Sequence, residues 1–157
     1  MTRLYGETAL GLAWVIALAA SLAVLFIGEV LGQMPCTLCW YQRIAMYPLA
    51  VILPLGAFFK DGSVRLYAGV LATIGAGIAL YHRLLQAFPS LDTGTCSAFG
   101  PSCSSPLIKQ FGFVTIPYMA LSGFLLILAL LYADRANSAR AVPSFPASTE
   151  PTPAIDD

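Results

Sequence analysis

The sequence predicts an all-α membrane protein, a bundle of four bilayer-crossing helices, and two observations carry that expectation. Of its 157 residues 58% are apolar and only 10% are charged, with a mean hydropathy of +0.78, which is unlike a water-soluble domain of this size. The charges are also clustered, so four long runs carry no ionisable side chain near their centres. Eight Lys and Arg balance eight Asp and Glu, giving a formal net charge of +0 and no basic face to hold a phosphate backbone, so nucleic acid is excluded as a partner.

A hydrocarbon core about 30 Å thick takes about 20 helical residues to cross. Ala9 to Gly28 supplies the first run. It is longer than the apolar part of a signal peptide and is followed by Gly28-Glu29-Val30-Leu31-Gly32 without a small-x-small cleavage pattern, so it reads as a retained anchor with Glu29 as an interfacial charge. The second run, Ile44 to Phe59, is fenced by Arg43 and Lys60, and its Pro48 and Pro54 are expected to kink it. In the third, Leu66 to Leu80, the small residues Gly69, Thr73 and Gly77 recur at every fourth position and suggest a close helix contact; Tyr81 and His82 mark its end. The fourth is Phe111 to Ala133, with Pro117 where a proline costs least and Thr115 placed to cap free amides. These spans form one unit, residues 1–133. The remainder, 134–157, holds Pro143, Pro146, Pro151 and Pro153 among small polar residues and is expected to be disordered.

An even number of crossings returns both termini to one side and puts residues 32–43 and 82–110 together on the other. Arg3, Lys60, Arg65, Arg135 and Arg140 fall on the terminal side, against Arg43, Arg83 and Lys109, a lean that makes the termini cytoplasmic. All four cysteines, Cys36, Cys39, Cys96 and Cys103, then lie outside the spans and face the extracytoplasmic compartment, where disulfides persist. Three pairings are open to them.

Cys36-Thr37-Leu38-Cys39 is a C-x-x-C, a spacing that lets one sulfur stabilise the charge of the other, and Arg43 follows Cys39 by one helical turn. A fixed guanidinium there favours a thiolate and any negative charge developing on an electron acceptor nearby, although an arginine at a membrane edge can also simply snorkel. Cys96 and Cys103 enclose a Gly100-Pro101 turn in a long segment with little helical period, a setting suited to a visiting protein. Three readings compete. A zinc site prefers closer spacing than the second pair offers, and two inert disulfides would brace the loops. An electron relay best explains one pair beside a membrane helix and another on a loop.

The run Pro35-Cys36-Thr37-Leu38-Cys39-Trp40-Tyr41-Gln42-Arg43-Ile44-Ala45-Met46-Tyr47-Pro48 resembles the DsbB family of disulfide bond formation proteins. Tyr81-His82-Arg83-Leu84-Leu85-Gln86, the Cys96–Cys103 enclosure and Phe111-Gly112-Phe113-Val114-Thr115-Ile116-Pro117 follow in the family's order, so the resemblance covers about residues 5 to 133. The short second enclosure is similar to the BdbC branch, where DsbB itself has a much longer loop. The resemblance implies a four-helix bundle in the bacterial plasma membrane that takes electrons from a secreted, DsbA-like thioredoxin-fold protein and gives them to a membrane quinone, ubiquinone or menaquinone. It implies that Cys96 forms the mixed disulfide with the partner, Cys103 resolves it, Cys36 exchanges with Cys103, and Cys39 faces the quinone with Arg43 beside it. Gln42 and His82 are further candidates for the quinone pocket, and no metal is implied.

The redox arithmetic agrees with this. DsbA-type proteins sit near about −120 mV, so their reoxidation needs a still more oxidising sink. The chain has no dinucleotide or flavin fingerprint to suggest another carrier. The rival functions are a non-enzymatic scaffold braced by disulfides and a transporter; the spans lack the internal carboxylates or inverted repeat a transporter would show.

Overall fold

The computed structural model describes residues 2–59, 62–91, 103 and 115–140. Four long helices account for nearly all of them: α1 (Thr2–Leu25), continued by a π-helical turn at Phe26–Val30, α2 (Thr37–Phe59), α3 (Ser63–Ala87), followed by a short 3₁₀ turn at Pro89–Leu91, and α4 (Ile116–Arg140). Each packs on its neighbours in the chain, and α4 closes the ring against α1. All four are long and apolar enough to cross a bilayer. Large apolar side chains such as Leu12, Val15, Val51, Ile74 and Leu125 are exposed on the outside of the bundle, as lipid-facing residues should be.

The core runs along the bundle axis through Ala13, Ala17, Leu49, Leu53, Ala72, Ala79, Phe124 and Ile127. Small residues on α1 and α3 let the helices approach closely enough for the larger side chains of α2 and α4 to fill the centre. The α3 contact stripe is Ala68, Ala72, Gly75, Ala76 and Ala79. The expected stripe of Gly69, Thr73 and Gly77 is therefore one residue out of register: a Cβ at Gly69 or Gly77 would meet nothing, and Thr73 is exposed, its hydroxyl donating to the Gly69 carbonyl at 2.7 Å. A Cβ at Gly75 would instead run into the Phe124 ring, so glycine there is what allows α3 and α4 to meet.

Helix α2 runs through both of its prolines. Pro54 has no N–H to offer the carbonyl four residues earlier, that of Ala50. Trp14 on α1 supplies the missing donor, its indole Nε1 donating to the Ala50 carbonyl at 3.0 Å. A gap in one helix's ladder thus becomes a tie to its neighbour, a recurrent solution in membranes, where unpaired backbone groups are costly.

Several helix boundaries move outward from the apolar runs. α2 begins at Thr37, seven residues before Ile44, so Cys39 lies on the helix and not outside it. α3 passes Leu80 and continues through His82 to Ala87. α4 begins at Ile116 and continues past Ala133 to Arg140, so residues 134–140, expected in a disordered tail, are helical; 141–157 lie outside the described residues. The reason for the last extension is Asp134, fully buried and ion-paired with Arg65 at the start of α3. That pair ties the two helices at the end of the bundle far from the cysteines. The turn into α4 is closed by the Met119 N–H on the Thr115 carbonyl at 3.1 Å, whereas the Thr115 hydroxyl, expected to cap it, has no hydrogen-bond partner among the described residues.

Replacing Trp14 by Phe keeps the ring and removes the donor, and should cost about 1–3 kcal/mol of stability in detergent. In a Pro54→Ala background the restored N–H can reach the Ala50 carbonyl, so the same change should cost less. Equal costs in the two backgrounds, measured by denaturant unfolding, would contradict the pairing.

Candidate active site

One end of the bundle gathers the sulfur atoms. Between the π-helical turn and α2 the chain reverses through Gly32, whose φ of 64° favours glycine, and the Leu31 and Gln33 amides bond back to the Phe26 and Ile27 carbonyls. This delivers Pro35 and Cys36 to the mouth of α2, where the Cys36 carbonyl accepts the Trp40 N–H at 3.2 Å. Cys36 is thus the residue before the helix and Cys39 lies in its first turn, so both sulfurs sit at a helix N-terminus. The Cys36 thiol donates to Cys39 Sγ at 3.0 Å. That bond, with burial adding to it, pushes the Cys36 thiol up to about 12, and the contact with His82 works weakly against it. The shared proton of the pair is kept on Cys36, and Cys39 is its acceptor.

Cys103 arrives from the α3–α4 connection and is buried beside Cys36, Cys39 and Leu85. Cys36 Sγ, Cys103 Sγ and a ring nitrogen of His82 all lie within 4.8 Å of one another. Parity alone puts these cysteines at one end; packing brings them within a side-chain movement of each other. Cys96, the fourth expected member, lies outside the described residues.

His82 is fully buried on the same stripe of α3 that carries Gly75 and Ala79. Its Nε2 is 3.7 Å from Cys36 Sγ and its Nδ1 is 3.1 Å from Gln42 Nε2. The expectation that His82 joins the electron-acceptor pocket takes a different form here: His82 touches Cys36, and Gln42 stands between it and the cavity described next.

That cavity, about 150 Å³, opens between α1, α2 and α4 and is lined mainly by apolar side chains, among them Ala20, Met46, Met119 and Phe124. Its polar wall is Cys39, Gln42, Arg43 and Gln33. A space of this order admits a single six-membered ring. Arg43 does not snorkel. It is 8% exposed, its Nη2 donates to the Val24 carbonyl at 2.9 Å, and its guanidinium lies over the Trp40 ring, 5.3 Å from the centroid. Glycine at position 28 leaves room for it, since a Cβ there would stand 3.1 Å from Nη2. Neither Val24 nor Gly28 was marked by the sequence, because both belong to an unremarkable apolar run. His82 carried a usable signal: it continues the 75, 79, 82 spacing of the buried face once α3 is allowed to extend.

A four-helix membrane bundle with paired thiols at one end, next to a buried cation and an apolar cavity, defines a membrane protein built for thiol–disulfide exchange. Its kinship agrees: residues 6–133 match the family model described as "Disulfide bond formation protein DsbB", and the chain belongs to that family. It is 44% identical over 126 residues to "Probable disulfide formation protein C 2" of Bacillus anthracis, covering 80% of this chain and 89% of that one. It is 47% identical over 126 residues to "Probable disulfide formation protein" of Metapseudomonas resinovorans, covering 79% and 87%. With "Disulfide bond formation protein C" of Bacillus subtilis (strain 168) it shares 43% over 118 residues, covering 75% and 86%. No solved structure matches the chain. The protein is thus a multi-pass membrane member of a disulfide-forming family, with a role in disulfide bond formation.

Because its thiol pKa is raised, Cys36 holds little thiolate at neutral pH. In the fully reduced protein it should alkylate with iodoacetamide at pH 8 on the order of a thousandfold more slowly than a free thiol. Its rate should climb tenfold per pH unit from 7 to 10 without a plateau, and Cys39→Ala, which removes the main cause of the shift, should speed it. Peptide mass spectrometry of the labelled protein reads both; alkylation of Cys36 at the free-thiol rate at pH 8 would contradict the geometry.

Proposed function

We propose that the protein is a quinone-linked thiol oxidase that reoxidises a secreted DsbA-like thioredoxin-fold protein, with its termini cytoplasmic and its cysteines facing the extracytoplasmic side of the bacterial plasma membrane. The observation that carries this reading is the cavity shared by Cys39 and Arg43, an apolar, ring-sized space with one sulfur and one cation in its wall. Its residues fit a quinone head: Arg43 and Gln42 can donate to ring oxygens, and Met46, Met119 and Phe124 offer an apolar lining. When bound there, a quinone supplies a sink for two electrons and two protons.

The chain's own work is sulfur exchange and charge management. A dithiol partner reduces the Cys96–Cys103 disulfide and leaves oxidised. The Cys103 thiolate then attacks Cys36 in the Cys36–Cys39 disulfide, breaking that S–S bond and releasing Cys39 as a thiolate beside Arg43. Attack of Cys96 on Cys103 restores the outer disulfide and releases Cys36, which takes a proton; His82 Nε2, 3.7 Å away, is within reach to give it. Two electrons now reside on the inner pair, one sulfur protonated and one charged, in keeping with the 3.0 Å bond from Cys36 to Cys39. Arg43 holds that negative charge in a site where water is largely excluded, the setting in which a fixed cation is most effective. Returning the pair to a disulfide requires the Cys36 proton to leave; His82 Nε2 accepts it when Nδ1 carries the ring hydrogen and the Gln42 amide turns its oxygen to that N–H.

The test is quinone reduction by the purified protein given reduced DsbA-like partner. Cys39→Ser should abolish it while the protein still inserts and folds. Arg43→Met should lower kcat/KM for quinone by about 10²–10³, the usual effect of losing one preorganised charge-stabilising donor. Full activity in Cys39→Ser, or no quinone consumption by the native protein, would leave a scaffold braced by disulfides.

A further inference from the structure

The thiol cluster offers more than proton exchange asks of it. A proton donor and acceptor at His82 needs to reach Cys36; it need not also lie close to Cys103. Yet His82 makes three soft donors, all almost fully buried and mutually within 4.8 Å, contributed by three separate parts of the chain. On sequence the wide Cys96–Cys103 spacing disfavours a zinc site built from the four cysteines. The fold offers a different donor set, in which His82 from α3 joins Cys36 and Cys103.

The dimensions suit a small borderline-soft cation. Zn–S bonds of about 2.3 Å and Zn–N bonds of about 2.0–2.1 Å place tetrahedral sulfur and nitrogen donors about 3.6 Å apart. Cys36 Sγ and His82 Nε2 are 3.7 Å apart. The Cys36–Cys39 separation of 3.0 Å is too short for two sulfurs on one metal, so Cys39 is not part of the set as it stands. Gln42 provides the outer support that ligating histidines normally have, holding the ring from Nδ1 so that Nε2 faces the sulfurs. With the metal on Nε2, Nδ1 carries the hydrogen and the Gln42 amide turns its oxygen to it, an exchange of amide ends that needs no backbone movement. Two thiolates neutralise a dication, so the loaded site is uncharged, which suits a buried place in the bundle.

We propose that Cys36, Cys103 and His82 form a redox-gated Zn²⁺ site, with a fourth position open to water, that captures the reduced protein and halts thiol exchange. Loading exchanges two thiol protons for one Zn²⁺ and involves no electron transfer. Joining Cys36 to Cys39 or to Cys103 consumes a ligand, so oxidation and metal binding exclude each other. Binding does not depend on the identity of the electron acceptor; only its inhibitory consequence rests on the proposed relay.

Co²⁺ titration of the purified, fully reduced chain in detergent, under argon, reads the site directly. One Co²⁺ per chain should bind with thiolate-to-metal charge-transfer absorption and the visible bands of a tetrahedral ion, and Zn²⁺ should displace it. His82→Ala should weaken Zn²⁺ binding by more than the roughly 10–100-fold typical of losing an outer-shell partner, since it removes a ligand. Cys103→Ser provides the same reading should the histidine variant fold poorly. Cys39→Ser should retain the spectrum, and the diamide-oxidised protein should show none. The proposal is overturned if the native reduced protein gives no charge-transfer band. It is equally overturned if Cys39→Ser abolishes binding while His82→Ala and Cys103→Ser keep it, which would assign the metal to the C-x-x-C alone.

Discussion

Four helices of similar length, each antiparallel to the next, oblige the α1–α2 and α3–α4 connections to emerge at the same end of the bundle. The cysteine chemistry depends on that constraint. Residues more than sixty positions apart, Cys36 and Cys103, become neighbours because the chain crosses an even number of times, and burial then turns proximity into contact. The opposite end has the reverse character. There the buried Asp134 and the partly exposed Arg65 clamp α4 to α3, and the ends of these two helices are held by charge. Small residues in between set the helix spacing, so the bundle resembles a rigid rod with its reactive groups confined to one tip.

At that tip the costliest feature is a guanidinium inside an apolar bundle, whose desolvation amounts to several kcal/mol before any compensation. The contacts that hold Arg43 are a backbone carbonyl and an aromatic face. Among the described residues no carboxylate is paired with it, so its charge is available to whatever anion forms beside it. Glycine at position 28 makes the space, the end of α1 makes the acceptor, and Cys39 precedes Arg43 by one turn of α2. Cys39, the sulfur that the proposed relay releases as a thiolate, and a cation with unused charge therefore share one wall of the same cavity. His82 stands on the Cys36 side of the pair, with Gln42 between it and the cavity.

Much of this was legible in the sequence. The four spans, the parity argument and the Cys36–Arg43 motif all follow from uncharged runs and one short spacing. Helix boundaries were not, because hydropathy registers only the apolar centre of a span. Thr37 to Arg43 is helical although Gln42 and Arg43 end the apolar run, His82 and Arg83 continue α3, and Asp134 extends α4 since it is buried and ion-paired with Arg65. The α3 contact face was read one residue out of register because glycine spacing identifies small residues without saying which side they occupy. The Trp14 bond to Ala50 and the fit of Gly28 against Arg43 join residues far apart in the chain, and no local pattern encodes either.

The proposed relay requires the two cysteine-bearing connections to exchange electrons through Cys36 and Cys103. A variant carrying Cys39→Ser and Cys96→Ser retains only those two cysteines. Mild oxidation of the folded variant in detergent, followed by non-reducing peptide mass spectrometry, should yield an intramolecular Cys36–Cys103 disulfide as the main product. Sulfurs that remain unjoined under conditions that oxidise the native pairs, or that link only between separate chains, would contradict it.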